Sequence, residues 1–264
     1  MPLPANHSLD VPGARLHYEV LGTGPVLMCI GHPMGASGFA ALAPFLADDF
    51  TVVTYDPRGF FQSSIEDPDQ DGDPDVLADD VRRILEALGG GPAYVFGSSG
   101  GAVTGLALVA HAPSHVRTLV AHEPPVALLL PEAEAARSAM HAIYDIYGAE
   151  GPAAAWQAFG DFTGLAVMPQ GQDVSPEESA TSDRFFAHGL LPIALYEPDL
   201  RALRDAPCRV VVAGGVTSRG EFPHRTAVAL AEHLGSALAE FPGNHAGFAI
   251  EPEGFARKLR DVLA

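Results

Sequence analysis

The chain has 264 residues, 47% of them hydrophobic, and a formal charge of −18 from 33 acidic against 15 basic side chains. That is enough apolar mass for one sizeable core, and the charge repels phosphate backbones and anionic lipid, which disfavours nucleic acid and membrane surfaces as partners. The N-terminal stretch MPLPANHSLDVPG lacks the basic start and apolar core of a signal peptide, no apolar run approaches a membrane span, and Cys29 and Cys208 sit in strand-like runs without metal-site spacing, so the expectation is a soluble cytoplasmic protein with inert thiols.

Residues 14–20 (ARLHYEV) alternate as a half-exposed antiparallel edge strand does, and Leu21-Gly22-Thr23-Gly24-Pro25 offers turn chemistry for a hairpin into the next strand. That next strand, Val26-Leu27-Met28-Cys29-Ile30, is uninterruptedly apolar and belongs in the sheet centre. It stops at Gly31-His32-Pro33-Met34-Gly35, a loop at the carboxyl end of a central strand, where open α/β sheets place their ligand chemistry. A short helix is predicted over residues 39–46 and a buried strand over 51–55. The strand runs into Asp56-Pro57-Arg58-Gly59, a charged turn that reads as a tie between loops rather than as catalytic machinery. Residues 66–75 (EDPDQDGDPD) read as solvated acidic surface. A helix over 74–89 then carries Val76, Leu77, Val81, Ile84, Leu85 and Leu88 on one face and closes at Gly89-Gly90-Gly91.

Ala93-Tyr94-Val95-Phe96 is the next buried strand, and from Ala102 the apolar residues recur at helical spacing. Between them lies Gly97-Ser98-Ser99-Gly100-Gly101, which fits G-x-S-x-G with Ser99 central, the pattern of a nucleophile elbow. Residues without a Cβ on either side let strand and helix pass closely around a strained, exposed serine. Ser99 would stand at a helix N-terminus, where free N–H groups favour a developing oxyanion. The Gly100 N–H is the natural first donor and, because Pro33 has none, Met34 is the second. Ser98, one residue short of the motif's centre, reads as packing or as a support behind the site. One more strand, 116–121, ends at His122-Glu123-Pro124-Pro125.

This alternation implies a mostly parallel central sheet of about eight strands with helices on both faces. Residues 126–205 are alanine-rich helical segments broken by prolines and read as a helical cap inserted between core segments 1–125 and 206–264. The cap carries Trp156, Phe159, Phe162, Met168, Phe185, Phe186 and Tyr196, enough apolar surface to line a pocket. Trp156, Phe159, Phe186 and Tyr196, with His32, are the candidate substrate contacts. The sheet resumes at 209–213, a helix over 224–234 follows, and residues 238–241 form the last strand. That strand opens onto Pro242-Gly243-Asn244-His245-Ala246-Gly247 before a closing helix over 252–263.

A serine hydroxyl is a poor nucleophile at neutral pH. It needs a base, and the base needs a group that fixes its tautomer. His245, in a late glycine-rich loop, is the candidate base, in the Ser…acid…His order that accompanies the elbow. Together, Gly31-His32-Pro33-Met34-Gly35, Asp56-Pro57-Arg58-Gly59, the elbow around Ser99 and Gly243-Asn244-His245 resemble the α/β-hydrolase superfamily over nearly the whole chain outside the cap. In most of that family the acid follows the strand corresponding to residues 208–213. Here that position reads Gly214-Gly215-Val216-Thr217-Ser218-Arg219-Gly220-Glu221, with no Asp. Some members place the acid one strand earlier, which lands on Glu123. Fungal zearalenone lactonases do so with a similar His-Glu segment, and Ala155-Trp156-Gln157-Ala158-Phe159-Gly160-Asp161 resembles their cap.

The resemblance therefore implies Glu123 as the acid, with Glu221 as the alternative. It also implies a serine hydrolase that cleaves an ester or lactone through an acyl-enzyme without metal or cofactor. A small apolar ester or lactone is the expected partner, with a macrolactone such as zearalenone in range, and a homodimer is left open. Carbon–carbon bond hydrolases and cofactorless perhydrolases keep the same Ser and His and stand as alternatives, as does a non-catalytic binding protein on a hydrolase scaffold.

Overall fold

The computed structural model describes residues 3–165 and 175–264; Met168 lies outside them. The chain opens with a hairpin, β1 (Ala5–Val11) and β2 (Ala14–Leu21), joined by antiparallel rungs from Ala5 opposite Val20 to Val11 opposite Ala14. The sequence reading placed β2 at the sheet edge and had no strand before it. In the structure the largely exposed β1 takes the edge and β2 moves inward, burying Leu16 and Tyr18. Nor does β2 form a hairpin with β3 (Val26–Ile30). The turn after β2 carries the chain past its neighbour, and β2 pairs antiparallel with β4 (Thr51–Tyr55), which pairs in parallel with β3. The helix expected over 39–46 is divided into a 3-10 turn at Ala36–Phe39 and a short α1 at Ala43–Leu46.

Beyond β5 (Ser64–Ile65) the chain alternates as expected: α2 (Pro74–Ala87), β6 (Ala93–Ser98), α3 (Gly100–His111) and β7 (Val116–His122). A helical insertion follows, made of α4 (Ala133–Glu150), α5 (Pro152–Thr163), α6 (Pro176–Arg184), a π-helical turn at Phe185–Gly189, α7 (Leu190–Ala194) and α8 (Leu200–Asp205). The sheet then resumes with β8 (Arg209–Gly215), α9 (Phe222–Leu234), β9 (Ala239–Phe241), α10 (Gly247–Ile250) and α11 (Pro252–Leu263). Among the described residues the strand order is β1-β2-β4-β3-β6-β7-β8-β9, with the two-residue β5 added on β2 as a ninth strand, and the sheet is parallel from β4 to β9.

The continuous apolar runs of the central strands follow from burial on both faces. Met28 and Ile30 of β3 point into one core with α2, α3 and α9, whereas Leu27 and Cys29 point into another with α1 and α11. Burial pushes the Cys29 thiol up to about 12, so it is inert. Helix α2 begins at Asp73, whose carboxylate accepts the Asp75 N–H at 2.9 Å, and its stripe of Leu77, Val81, Ile84 and Leu85 is buried against the sheet. Helix α3 is apolar on every side because sheet and helices surround it, with residues 100–109 all buried. Within the insertion, Met140, Ile143, Ala155, Phe185 and Phe186 make a third apolar cluster. No described helix is long and apolar enough to cross a membrane.

The turn at 56–59 is structural, as its charge pattern suggested. Asp56 accepts the Ala36 N–H at 2.8 Å and the Gln62 N–H at 3.1 Å, fixing the loop after β3. Arg58 reaches the fully buried Asp80 of α2 through two parallel bonds, Nε to Oδ2 at 2.7 Å and Nη2 to Oδ1 at 2.5 Å. Removing one partner of such a pair leaves a buried charge without compensation, so Arg58→Ala is expected to destabilise the fold by about 3 to 5 kcal/mol in chemical denaturation. A loss below about 1 kcal/mol would show the pair to be dispensable.

Candidate active site

Ser99 sits where β6 breaks into α3, with φ +56° and ψ −128°, a conformation that non-glycine residues rarely hold. Its N–H donates to the His122 carbonyl at 2.9 Å, which anchors the turn to β7. The elbow glycines are required by close approach: a Cβ on Gly101 would collide with the Ile30 carbonyl of β3, and one on Gly97 would lie 2.5 Å from the Gly101 carbonyl. Strand and helix cross at backbone contact, so the hydroxyl of Ser99 projects from the first turn of a buried helix.

Glu123 follows β7 directly and also has positive φ, +48°. Its N–H donates to the Ala213 carbonyl of β8 at 2.9 Å, and its side chain is fully buried. One carboxylate oxygen accepts the Gly215 N–H at 2.8 Å and the Ser218 hydroxyl; the other is 2.7 Å from His245 Nδ1. Burial opposes ionisation of this carboxyl, but the hydrogen bond and charge of His245, the neighbouring His122 ring and the Ser218 hydroxyl outweigh it and hold the pKa down to about 2. The group is a carboxylate at neutral pH, and His245 Nδ1 carries the proton that it accepts. With Nδ1 turned to the carboxylate, Nε2 is the ring nitrogen left to act as an acceptor.

The other acid is elsewhere. Glu221 stands just before α9, its N–H donating to the Ser218 carbonyl, and its carboxyl is raised by burial and then by the charge of Glu123. The structure brings His245 to Glu123 and not to Glu221. His122 is sealed among Phe96, Phe241 and Phe255, and burial lowers its pKa to about 4, so it is a neutral neighbour of His245 with ring centroids 6.2 Å apart. Ser98 faces His122 Nδ1 at 3.4 Å.

Ser99 and His245 meet in one cavity of about 260 Å³, together with Gly100, Met34 and His32. No hydrogen bond joins the Ser99 and His245 side chains in this structure, although both line the same cavity. The cavity continues into an apolar chamber walled by Trp156, Phe159, Phe185, Met140, Phe222 and Phe248. His32 is buried and its pKa is lowered to about 4 by desolvation and by Arg184, so it lines the cavity as a neutral ring. Among the described residues no group of His, Cys, Asp or Glu is arranged to hold a metal ion.

Two of the aromatic residues expected at the cavity are not there. Phe186 is fully buried behind it, stacked on Tyr147 with ring centroids 5.7 Å apart, and it is Phe185 that faces the chamber. Neighbouring helical positions project in different directions, and at this turn Phe185 is the one that lines the cavity. Tyr196 does not line the cavity; its hydroxyl donates to Asp75, in the first turn of α2, at 3.0 Å. The sequence reading also missed Ser218 and the Gly215 N–H. A Gly-Gly turn followed by a serine, at the strand end where the usual acid is missing, was the available signal.

A strained serine between a parallel strand and a buried helix, with a histidine held by a buried carboxylate in the same cavity, defines a hydrolase-type site on a doubly covered sheet. A sequence profile for the alpha/beta hydrolase fold matches residues 24–152. An uncharacterized hydrolase of Bacillus subtilis, YraK, is 35% identical over 266 residues, covering 98% of this chain and 96% of that one. The chain belongs to the α/β-hydrolase superfamily. A zearalenone hydrolase of Bionectria ochroleuca is 26% identical over 93% of this chain and 92% of its own. In fold, a thermophilic esterase from Thermogutta terrifontis matches 99% of the chain and 98% of its own length with a TM-score of 0.74 at 20% identity.

Proposed function

We propose that this hydrolase is a serine esterase or lactonase that works through an acyl-enzyme, with Ser99, His245 and Glu123 as its catalytic residues. The observation that carries the reading is the bond from His245 Nδ1 to the buried, ionised Glu123, with His245 and Ser99 lining one cavity. Ser99 Oγ adds to the carbonyl carbon while its proton passes to His245 Nε2, and Glu123 stabilises the imidazolium that forms. The carbonyl oxygen becomes an oxyanion held by the N–H groups of Gly100 and Met34. The C–O bond to the alcohol then breaks, and His245 returns the proton to the leaving oxygen. Water repeats the sequence: it adds to the acyl carbon as His245 takes its proton, the bond to Ser99 Oγ breaks, and Ser99 recovers its hydrogen. In a lactone the leaving alcohol stays part of the acyl chain, and the second half releases both ends together as one hydroxy acid.

The chamber favours a large apolar substrate, since aromatic and aliphatic side chains wall it away from Ser99. The likeness to the zearalenone hydrolase supports extending the reading to lactones. The inserted helices act as a cap in this reading, and Trp156, Phe159 and His32 are the substrate contacts. Labelling with a fluorophosphonate followed by peptide mass spectrometry is expected to place one adduct on Ser99. A protein that turns over p-nitrophenyl esters yet is labelled elsewhere, or not at all, would overturn the assignment of the nucleophile.

A further inference from the structure

Residues 66–75 read as plain acidic surface, with six acids in ten positions, but the structure uses this loop as a strap. Arg184, the last residue of α6, donates from Nη1 to the Pro68 carbonyl at 2.9 Å and from Nη2 to the Gln70 carbonyl at 3.2 Å. The Gly72 N–H donates to the His188 carbonyl at 2.7 Å, and His188 Nδ1 lies 3.0 Å from the Asp71 carboxylate. The strap is thereby fastened to both ends of the π-helical turn, whose first residue, Phe185, enters the cavity.

Arg184 also grips the other side of the seam. Its guanidinium lies 5.7 Å over the Phe60 ring and crosses Gly59, where φ is +76° and a Cβ would collide with it. Phe60 packs edge-on against His32 at 5.2 Å, and His32 packs against Phe185 at 6.4 Å. One half-buried side chain thus joins the strap, the loop after β4 and the aromatic wall of the cavity without lining the chamber itself. The His188–Asp71 contact is the weaker fastening, because Asp71 is 74% exposed and such pairs hold loosely in water. A guanidinium bonded to two carbonyls has the fixed fork geometry that a loop clamp needs.

We propose that Arg184 is a specificity-determining positioning residue: by clamping residues 66–72 to the π-helical turn it fixes Phe185 and the His32 wall, so that preference for large apolar esters depends on a side chain outside the cavity. This rests on the ester-or-lactone reading above. Arg184→Met keeps the length and the apolar stem but removes both donors, and Arg184→Lys keeps the charge but can satisfy one carbonyl at a time.

Steady-state kinetics on p-nitrophenyl acetate and p-nitrophenyl octanoate test the idea, paired with hydrogen–deuterium exchange. For Arg184→Met, kcat/KM on the octanoate is expected to fall about tenfold, mainly through KM, with the acetate changed less than about twofold and the Lys variant between. Exchange should rise in residues 67–72 and 185–190 and stay unchanged in β6 and α3. Equal losses on both esters, or unchanged exchange in the strap while the wild type turns over both, would remove Arg184 from this role and leave the reaction class standing. A wild type inert to both esters would instead overturn the ester reading and the specificity claim with it.

Discussion

Ser99→Ala is expected to lower kcat/KM on p-nitrophenyl esters by about 10⁴- to 10⁶-fold with little change in KM, because it deletes the atom that forms the acyl bond and leaves the binding chamber intact. The variant should fold normally. Alanine meets the same backbone cost as serine at φ +56°, and the anchor from the Ser99 N–H to the His122 carbonyl does not involve the side chain. Thermal unfolding therefore serves as the control. Activity within tenfold of wild type, from a variant with unchanged Tm, would mean that another group attacks the substrate. Ser98 is the neighbour to test next, since it lines the same cavity. The residual rate also has meaning: His245, the Gly100 N–H and the bound geometry all survive the substitution and can still activate water weakly.

The second large effect separates the two acids. Glu123→Gln is expected to reduce kcat/KM by about 10³- to 10⁴-fold, because an amide cannot balance an imidazolium and offers an N–H₂ that favours the wrong tautomer of His245. Glu221→Gln should stay within about threefold, since the Glu221 carboxyl bonds neither ring nitrogen of His245. The pH profile adds a second reading. With its pKa held to about 2, Glu123 is ionised across the whole range in which the enzyme would be assayed. The acid limb of kcat/KM should then show no step from this carboxylate above pH 4. The reverse ranking of the two variants would move the acid to Glu221. A large loss in both would point to two carboxylates acting on one histidine.

These assignments rest on features of different legibility. The elbow could be read because its signal is local: a short apolar strand, glycines at fixed spacing around Ser99, and a helical period that starts at once. Lining up α2, α3, β6, β7 and β8 was possible for the same reason, as a strand covered on both faces must be apolar throughout and a helix on the sheet must carry an apolar stripe. The order in which strands lie side by side is not local. The alternation of residues 14–20 was legible, yet β1 became the edge and β2 crossed to β4, because pairing depends on which neighbour covers which face and not on the period alone.

Chemistry divides the same way. The sequence by itself determined that Ser99 stands at a strand-to-helix turn and that His245 lies in a loop at the end of the sheet, since glycine spacing and chain order are properties of the string. Between Glu123 and Glu221 it supplied order and resemblance but no distance. Only the tertiary structure supplied the distance, by placing the end of β7 beside β8 so that the Gly215 N–H, the Ser218 hydroxyl and His245 converge on the Glu123 carboxylate. The choice of Phe185 over Phe186, the turning away of Tyr196, and the capture of an acidic loop by Arg184 were settled there too. Each depends on a contact between residues far apart in the chain, and a side chain's direction is fixed by what packs against it rather than by its position in the sequence.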